Sequence, residues 1–346
     1  MTFPPDEKSL NEIPIDTVVE QILGGKKNVI MDSQILSTLM ACGRLTDFRF
    51  NHNFMSLGGK SNSLECGSIV HTFTEYYYKN IIAGLKRDQA FGYGIAAAEM
   101  YIKGCKICTD YVPTAQFPKP PCGHKVNEFT GVRNTPREPD KQNPQEKYKI
   151  GWQWVLETCD QYHRHYRNDH WVPLEVEVVK GKVLYEDDEI RILWKAKLDW
   201  VADTNQGIFP IDHKTMKQNR DTNSMNNQFM GQCRIQDTQQ VIINKIGFQT
   251  TLKPEEKFIR KPIGYSTARL LEWQGETLPY YAKLLVMYAE TGHWPPNFTH
   301  CEGKYGNCAF YEPVCTHNPD QREQQIKMHF YVGPTWDVVN DTDESD

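Results

Sequence analysis

Residues 198–215, LDWVADTNQGIFPIDHKT, decide the fold of this chain. Two apolar runs flank the turn DTNQG, a pattern that predicts two antiparallel strands joined as a hairpin. Asp199 lies on the first strand, and Asp212 and Lys214 lie on the second. Because side chains alternate along a strand, Asp212 and Lys214 project from the same face of the sheet. Strand pairing can bring Asp199 beside them.

These three side chains have the chemistry of a divalent-metal site. Two close carboxylates repel each other unless a cation lies between them, and oxygen ligands suit Mg²⁺ or Mn²⁺. An adjacent lysine can orient or deprotonate a water molecule and stabilise charge that develops on a phosphate. The alternative is a surface hairpin with a salt bridge between Asp212 and Lys214. The apolar run before Asp212 disfavours that alternative, since a buried acid is costly without a purpose.

The surrounding sequence predicts an α/β fold with a central mixed sheet flanked by helices. Residues 171–181, WVPLEVEVVKG, alternate as a further strand, and either Glu175 or Glu177 on it could approach the hairpin acids. Asp32 or Ser33 is the expected N-cap of the first helix. The predicted helices cover residues 32–50, 67–86, 149–167, 224–246 and 278–291.

One main domain is expected at residues 31–320. Residues 1–30 form a poorly ordered or weakly helical lead-in, and residues 321–346 form a C-terminal segment that ends in an acidic tail. Within the domain, residues 104–147 are rich in Pro, Cys, Asn and Lys, which predicts an irregular insertion.

The ordered set of motifs resembles the PD-(D/E)xK nuclease superfamily, and within it the RecB/AddB-like branch of phage exonucleases and CRISPR adaptation nucleases. Besides the hairpin, residues 67–77, GSIVHTFTEYY, resemble the helix with a Gly-x-x-x-His motif in that branch. Residues 228–236, QFMGQCRIQ, resemble the helix whose glutamine follows the lysine. The resemblance covers roughly residues 33–316 and implies a restriction-endonuclease-like core. Departures are Leu198 at the proline position and Gln236 where the branch often has tyrosine.

The resemblance implies a role for each matched residue. His71, Asp199 and Asp212 would hold Mg²⁺ or Mn²⁺, while Lys214 would position the attacking water. Gln232, with Gln228 one turn earlier as the alternative, would support the lysine or the substrate. Glu75 would support a ligand or face the substrate. His213 is expected on the opposite face of the sheet and is not counted as a ligand.

The function implied is that of a metal-dependent deoxyribonuclease, an exonuclease that acts on DNA ends in recombination, repair or phage DNA processing. The DNA that it binds would be either single-stranded DNA or duplex DNA that has a free end. Two alternatives stay open: a non-catalytic DNA-binding or recruitment subunit that keeps the fold, and a zinc-stabilised interaction protein.

Two groups of cysteines predict further metal sites. Part of the branch has one cysteine before the nuclease core and three after it, which together bind a [4Fe–4S] cluster. By that resemblance the cluster ligands, joining the two ends of the domain, would be Cys42, Cys301, Cys308 and Cys315. Four thiolates also suit Zn²⁺, and ordinary buried thiols are the remaining alternative. A possible zinc knuckle, against free cysteines in an insertion, consists of Cys105, Cys108, Cys122 and His124.

Composition limits the remaining possibilities. The net charge of −5 argues against binding DNA by bulk charge. The segment 252–262, LKPEEKFIRKP, is interpreted as a solvated charged loop, with a DNA path as the alternative. Trp152, Trp154, Tyr162 and Tyr166 have a spacing typical of core packing, with base stacking as the alternative. No apolar run is long enough to span a bilayer and the N-terminus does not resemble a signal peptide. We therefore expect no membrane partner and a cytoplasmic location, in a bacterium or a phage-infected host.

Overall fold

The computed structural model describes residues 22–23, 26–56, 61–103, 139–144, 149–216, 225–303 and 306–333 of the 346-residue chain. Within these ranges the chain has an α/β fold, in which a mixed seven-stranded sheet lies between helices. The predicted fold class is confirmed. The strands are β1 (Ile22–Leu23), β2 (Lys26–Met31), β3 (Phe54–Ser56), β4 (Val172–Glu186), β5 (Ile190–Thr204), β6 (Gly207–Met216), β7 (Gln240–Gly247), β8 (Phe258–Gly264), β9 (Glu302–Gly303), β10 (Gly306–Asn307) and β11 (Phe330–Val332). The helices are α1 (Ser33–Ala41), α2 (Gly43–Thr46), α3 (Asn62–Ile82), α4 (Arg87–Lys103), α5 (Trp152–Tyr166), α6 (Asn227–Ile235), α7 (Pro254–Lys257), α8 (Thr267–Glu272), α9 (Leu278–Thr291) and α10 (Arg322–His329).

The sheet has the strand order β1-β2-β5-β6-β7-β8, and β4 pairs with β5 outside that path. The β2–β5 and β6–β7 neighbours are parallel, whereas β4–β5, β5–β6 and β7–β8 are antiparallel. The predicted hairpin is β5–β6, with Trp200 opposite Ile211 and Thr204 opposite Gly207. Gly207 has a φ of 132°, a backbone conformation that explains why glycine occupies this turn.

Two strands, β2 and β6, pair with the same edge of β5 at its two ends. β2 pairs with residues 190–194 and β6 pairs with residues 200–204, while β4 follows the other edge along most of its length. Residues 195–199 therefore face a gap where β2 and β6 diverge. We call this gap the fork. Asp199 lies at the end of the fork that adjoins β6.

Helices cover both faces of the sheet with apolar side chains. On one face, α1, α6 and α9 pack around Trp194, Phe229 and Leu285. On the other face, α3, α4 and α5 pack around Phe73 and Trp200. Burial of this apolar surface is the main stabilising contribution to such a fold, and it holds α3 and α6 on opposite sides of the fork. None of the described helices is both long and apolar enough to cross a bilayer.

The helices begin largely where the sequence predicts them. The side chain of Asp32 caps α1 by accepting hydrogen bonds from the N–H groups of Gln34 at 2.8 Å and Ile35 at 2.7 Å. The single helix predicted over residues 32–50 is interrupted at Cys42, which is extended, with φ −167° and ψ 123°. The chain is helical again in α2 and in a π-helical turn at Asp47–Asn51. The predictions at 67–86, 149–167 and 278–291 correspond to α3, α5 and α9.

Three regions differ from the prediction. The lead-in prediction, for residues 1–30, is wrong for residues 22–23, which form β1, and for residues 26–30, which belong to β2. The helix predicted over 224–246 ends at Ile235, since Asp237 has a left-handed φ of 52°, and the apolar run after it forms β7 between β6 and β8. Residues 258–264 form β8 rather than a charged loop.

Some predictions concern residues outside the described ranges. These include the acidic tail and the possible zinc ligands, Cys105, Cys108, Cys122 and His124. Of the C-terminal segment, residues 322–329 form α10, and residues 330–332 form β11, which pairs with β3. The two ends of the main domain are therefore joined by a small antiparallel sheet.

Candidate metal centre

Asp199 occupies the point where β5 and β6 stop pairing. The last backbone pair of the hairpin on this side is Trp200 with Ile211. Immediately beyond it, the Asp199 carboxylate Oδ2 accepts a hydrogen bond from the backbone N–H of His213 at 2.6 Å. A side chain thus bonds the backbone of the neighbouring strand just beyond the ladder, and this contact holds Asp199 against the strand that carries Asp212 and Lys214.

Asp212, Lys214 and Gln228 form a closed hydrogen-bonded group. Asp212 is 1% exposed, and its Oδ1 accepts from Gln228 Nε2 at 2.7 Å and from Lys214 Nζ at 3.3 Å. Its Oδ2 lies 2.9 Å from Lys214 Nζ in an ion pair but accepts no well-oriented hydrogen bond. Lys214 Nζ also donates to Gln228 Oε1 at 3.2 Å. One lone pair of a buried carboxylate is thereby left for a further cationic partner.

The helical glutamine in contact with the lysine is therefore Gln228, the alternative in the sequence prediction. Gln232 lies one turn later on α6 and is 1% exposed, and its Oε1 has no hydrogen-bond partner within the described part of the chain. Both glutamines lie on α6, as predicted. The residue predicted first, Gln232, does not contact Lys214, whereas the alternative, Gln228, does.

A second group of side chains meets Asp199 from the other side of the fork. His71 Nδ1 lies 3.9 Å from Asp199 Oδ2 and 4.0 Å from Glu177 Oε1. Among the described residues, His71, Glu177 and Asp199 form a group whose potential ligand atoms all lie within 4.8 Å of one another. Ligands on opposite sides of an ion with bonds of about 2.0–2.1 Å are about 4 Å apart. The spacing of these atoms fits a divalent cation between them.

Glu177 adopts a backbone conformation that the alternating sequence does not reveal. Val176 pairs with Trp200 and Val178 pairs with Leu198, so Glu177 lies opposite Asp199. Its φ is 51°, which is unfavourable for a residue with a side chain and costs of order 1–3 kcal/mol. The neighbouring Glu175 instead pairs with Lys180 at 2.5 Å. No pattern in the sequence distinguishes the two glutamates.

Burial makes the negative charge of this centre costly. The pKa of Asp199 is raised to about 7, mainly by burial; Asp212 and Glu177 contribute to the rise, whereas His71 and Lys214 oppose it. Burial also raises the pKa of Glu177 against the opposing charges of Lys197 and His71. Lys197 Nζ lies 2.8 Å from Glu177 Oε2. A bound cation would offset the repulsion among these carboxylates.

His213 and Glu75 border the centre without joining the ligand group. The His213 ring stacks against Trp200 on the face of the sheet opposite Asp212, which is the face that α3 covers. Its centroid lies 5.8 Å from that of His71, edge to face, and its Nδ1 lies 2.8 Å from Asn244 Nδ2. Burial lowers the pKa of His213 well below its ordinary value, so the ring is neutral. Glu75, one turn after His71, pairs with Lys79 at 2.5 Å, and its charge raises the pKa of Glu177.

The four cysteines predicted as cluster ligands, Cys42, Cys301, Cys308 and Cys315, approach one another. Asn297 donates its backbone N–H to Cys42 Sγ at 3.3 Å, and the backbone N–H of Cys308 donates to the carbonyl of Cys301 at 2.8 Å. Burial raises the pKa of the Cys301 thiol, and Cys315, Cys308 and Cys42 raise it further. Among the described residues, no three of these sulfurs lie within 4.8 Å of one another. That spacing is wider than the roughly 3.8 Å between the sulfurs of a zinc tetrahedron.

Within the predicted basic segment, residues 253–256 are exposed, whereas the Lys257 and Arg260 side chains are held inside the protein. The Arg260 guanidinium lies between the rings of Tyr166 and Trp171, at 3.9 Å and 4.0 Å from their centroids, and pairs with Asp169 at 2.7 Å. Lys257 is 4% exposed and donates to Gln161 Oε1 at 2.9 Å. These two cations stabilise the packing of β8 on α5. They do not form a solvated loop or a path for DNA.

Comparison with known proteins adds little to this description. No family model matches the sequence, and no curated protein matches it. Among solved structures, the crystal structure of SSO0001 is 13% identical over 36% of this chain and 60% of that chain, with a TM-score of 0.25. The chain therefore matches less than two thirds of the length of that protein. A likeness this loose carries no argument about fold or function.

Proposed function

We propose that this protein is a metal-dependent DNA nuclease of the PD-(D/E)xK type, in the RecB/AddB-like branch. The observation that carries the proposal is the position of Asp199 at the fork. On one side it meets His71 and Glu177, and on the other it adjoins the strand of Asp212 and Lys214. Acidic and imidazole ligands beside a lysine are the side chains that phosphodiester hydrolysis requires.

The residues at the fork fit Mg²⁺ or Mn²⁺. His71, Glu177 and Asp199 would hold the ion. Asp212, which the sequence predicts as a ligand, lies outside that group, and its carboxylate is paired with the Lys214 ammonium. When bound, the ion polarises the scissile phosphate and lowers the pKa of a bound water. The raised pKa values of Asp199 and Glu177 support this assignment, because both carboxylates gain from a neighbouring positive charge.

The residues on the α6 side of the fork act on water and phosphate. Asp212 and Gln228 both bond the Lys214 ammonium, which fixes its position within the cleft. From there Lys214 orients the attacking water and stabilises charge on the phosphate. Gln228 bonds Asp212 and Lys214 at once, so it is a positioning residue for the lysine. Preorganised contacts of this kind reduce the rearrangement needed during reaction.

The type of cleavage and its biological setting rest on the resemblance to the RecB/AddB-like branch. From that resemblance we propose that the enzyme is an exonuclease that acts on DNA ends, in the cytoplasm, during recombination, repair or phage DNA processing. By the same resemblance, Cys42, Cys301, Cys308 and Cys315 would hold a [4Fe–4S] cluster rather than zinc.

The test is degradation of end-labelled single- and double-stranded DNA in Mn²⁺. We expect Asp212→Ala and Lys214→Ala each to lower the rate by a factor on the order of 100 or more. Glu177→Gln should act similarly, and Glu175→Gln is its matched control on the same strand. Activity that survives both Asp212→Ala and Lys214→Ala would contradict the assignment.

A further inference from the structure

A cavity of about 650 Å³ lies beside the start of α5, outside the metal centre. Its lining combines cations, aromatic rings and hydroxyl groups, and includes Lys141, Lys149, Gly151, Trp154, Phe248 and Thr250. Among the described residues of the lining, Glu157 is acidic. This volume is in the range of about 300–1,000 Å³ typical of small-ligand sites. None of these residues belongs to the metal centre or to the cysteine group.

The aromatic part of the cavity is held in one position. Trp154 Nε1 donates to the carbonyl of Phe248 at 2.8 Å, and the Lys257 ammonium lies 4.8 Å from the Trp154 ring centroid. Phe248 is itself buried against the same apolar cluster as α5. Of the four aromatic residues that the sequence offered for base stacking, Trp152 and Tyr162 are core residues, 5% and 1% exposed. Trp154 is the one in this lining.

The cavity is connected to the metal centre by two rigid elements. Along the sheet, Lys214 is followed by Met216, whose carbonyl accepts the N–H of Phe248 at 3.0 Å. Along α3, Asn62 exchanges two hydrogen bonds with the backbone of Ile150, at 2.8 Å and 2.9 Å. His71 follows nine residues later, about 13 Å further along the helix axis. The cavity is thus a few nucleotides away from the metal centre.

We propose that this cavity binds a nucleotide of an unpaired DNA strand that extends from the metal centre. The inference rests on the proposed nuclease function and adds to it that the substrate has a single-stranded segment. Lys141 and Lys149 would contact a phosphate, and Trp154, which Phe248 supports from the core, would contact the base. Aromatic side chains beside cations are the usual platform for single strands, since every base has a face for stacking. The start of α5 adds N–H groups that no side chain caps.

The test measures binding apart from cleavage. Fluorescein-labelled dT12 is titrated in EDTA against the wild type, the pair Lys141→Ala with Lys149→Ala, and a control pair, Lys103→Ala with Lys327→Ala. The control side chains are 70% and 72% exposed, on α4 and α10. We expect the double variant Lys141→Ala with Lys149→Ala, the cavity pair, to bind about tenfold more weakly than the wild type. The slope of log affinity against log salt concentration should become smaller in magnitude by about 1.4, because two phosphate contacts to a single strand are lost. The control pair should bind like the wild type.

Crosslinking locates the site directly. An oligonucleotide with 5-iodouracil, irradiated with the wild type in EDTA, should yield crosslinked peptides that contain Trp154. Unchanged affinity in the cavity pair, or crosslinks confined to other peptides, would overturn the inference even when Mn²⁺-dependent cleavage is present. Crosslinks at Trp154 without any cleavage would instead count against the nuclease proposal and leave the cavity as a site for single-stranded DNA.

Discussion

Glu177 shows at the scale of one residue how stability and function oppose each other. Its left-handed backbone and buried carboxylate are both unfavourable. Glu177→Gly removes the strain, whereas Glu177→Gln keeps it. We expect the glycine variant to be about 1 kcal/mol more stable than the glutamine variant, because the strain relieved exceeds the extra chain entropy of glycine. Both variants should bind Mn²⁺ more weakly than the wild type.

Scanning calorimetry and Mn²⁺ titration measure the two effects separately. Equal melting temperatures for the two variants would show that the φ of 51° carries no strain. Unchanged Mn²⁺ affinity in both would remove Glu177 from the ligand group.

The residue scale also shows how far the sequence predicts a site. Asp212 and Lys214 are predictable because strand alternation places residues two apart on one face. The choice between Gln228 and Gln232 depends on how α6 approaches β6, which residue types do not encode. Glu177 is ambiguous because alternation assumes a regular strand, and its positive φ breaks that regularity.

At the scale of elements, α6 is positioned by a glycine. A Cβ at Gly231 would lie 2.2 Å from Trp194 Nε1. Gly231→Ala should therefore destabilise the protein by about 1–3 kcal/mol by overpacking, although alanine favours helices. It should also slow DNA cleavage, because α6 carries Gln228. Thermal melting and the Mn²⁺ assay are the measurements.

The matched substitution is Gly92→Ala on α4, where a Cβ meets nothing within 4 Å. It should stabilise the protein by up to about 1 kcal/mol and leave cleavage unchanged. If both alanine variants melt above the wild type, close packing of α6 on β5 is not what positions Gln228.

The contact between α4 and α5 gives a pH dependence. His163 on α5 lies 3.2 Å from Tyr77 Oη and 3.1 Å from Asp88 Oδ1. Burial lowers its pKa, although Asp88 opposes the shift. Below its unfolded pKa of about 6.5, the unfolded chain binds a proton that folded His163 does not. Stability is therefore full above pH 6.5 and falls as the pH drops through that value towards the lowered folded pKa.

The corresponding prediction compares melting temperatures between pH 8 and pH 5.5. The wild type should lose at most about 1.4 kcal/mol per pH unit through this residue, and His163→Gln should lose less over the same interval. Parallel pH profiles for the two proteins would show that His163 is protonated equally in the folded and unfolded chains.

Element boundaries were predictable where one local signal dominates. The carboxylate of Asp32 begins α1, and α9 spans the predicted residues. The error at β7 has a physical cause: residues 241–247 are buried on both faces of the sheet, so the strand lacks the alternation of apolar and polar residues that marks a half-buried strand. Pairing with β6 and β8, which are distant in sequence, decides its conformation.

At the scale of the whole molecule, the proposed cysteine cluster would join the two ends of the domain. Cys42 follows α1 and the other three cysteines lie in residues 301–315, so a cluster shared by all four would close a loop of most of the chain. Closing so long a loop removes much entropy from the unfolded state. The ends also meet through β3 and β11, but those strands contribute only three pairs.

We expect protein prepared without oxygen to be brown, with about four iron atoms per chain. Cys308→Ala should lose the iron and melt at a lower temperature, because the loop is no longer closed, while Cys159→Ala, in the apolar core, should keep the colour. Iron analysis and visible absorbance give the composition, and melting gives the stabilisation. A colourless protein with one zinc per chain would show that the thiolates contract around a single ion. A protein that contains neither iron nor zinc would show that packing alone joins the two ends of the domain.

The metal centre is built from β4, β5, β6, α3 and α6, within the closed loop. Loss of the cluster should therefore weaken Mn²⁺-dependent cleavage through stability, and the loss should be smaller at temperatures well below the melting point of the variant.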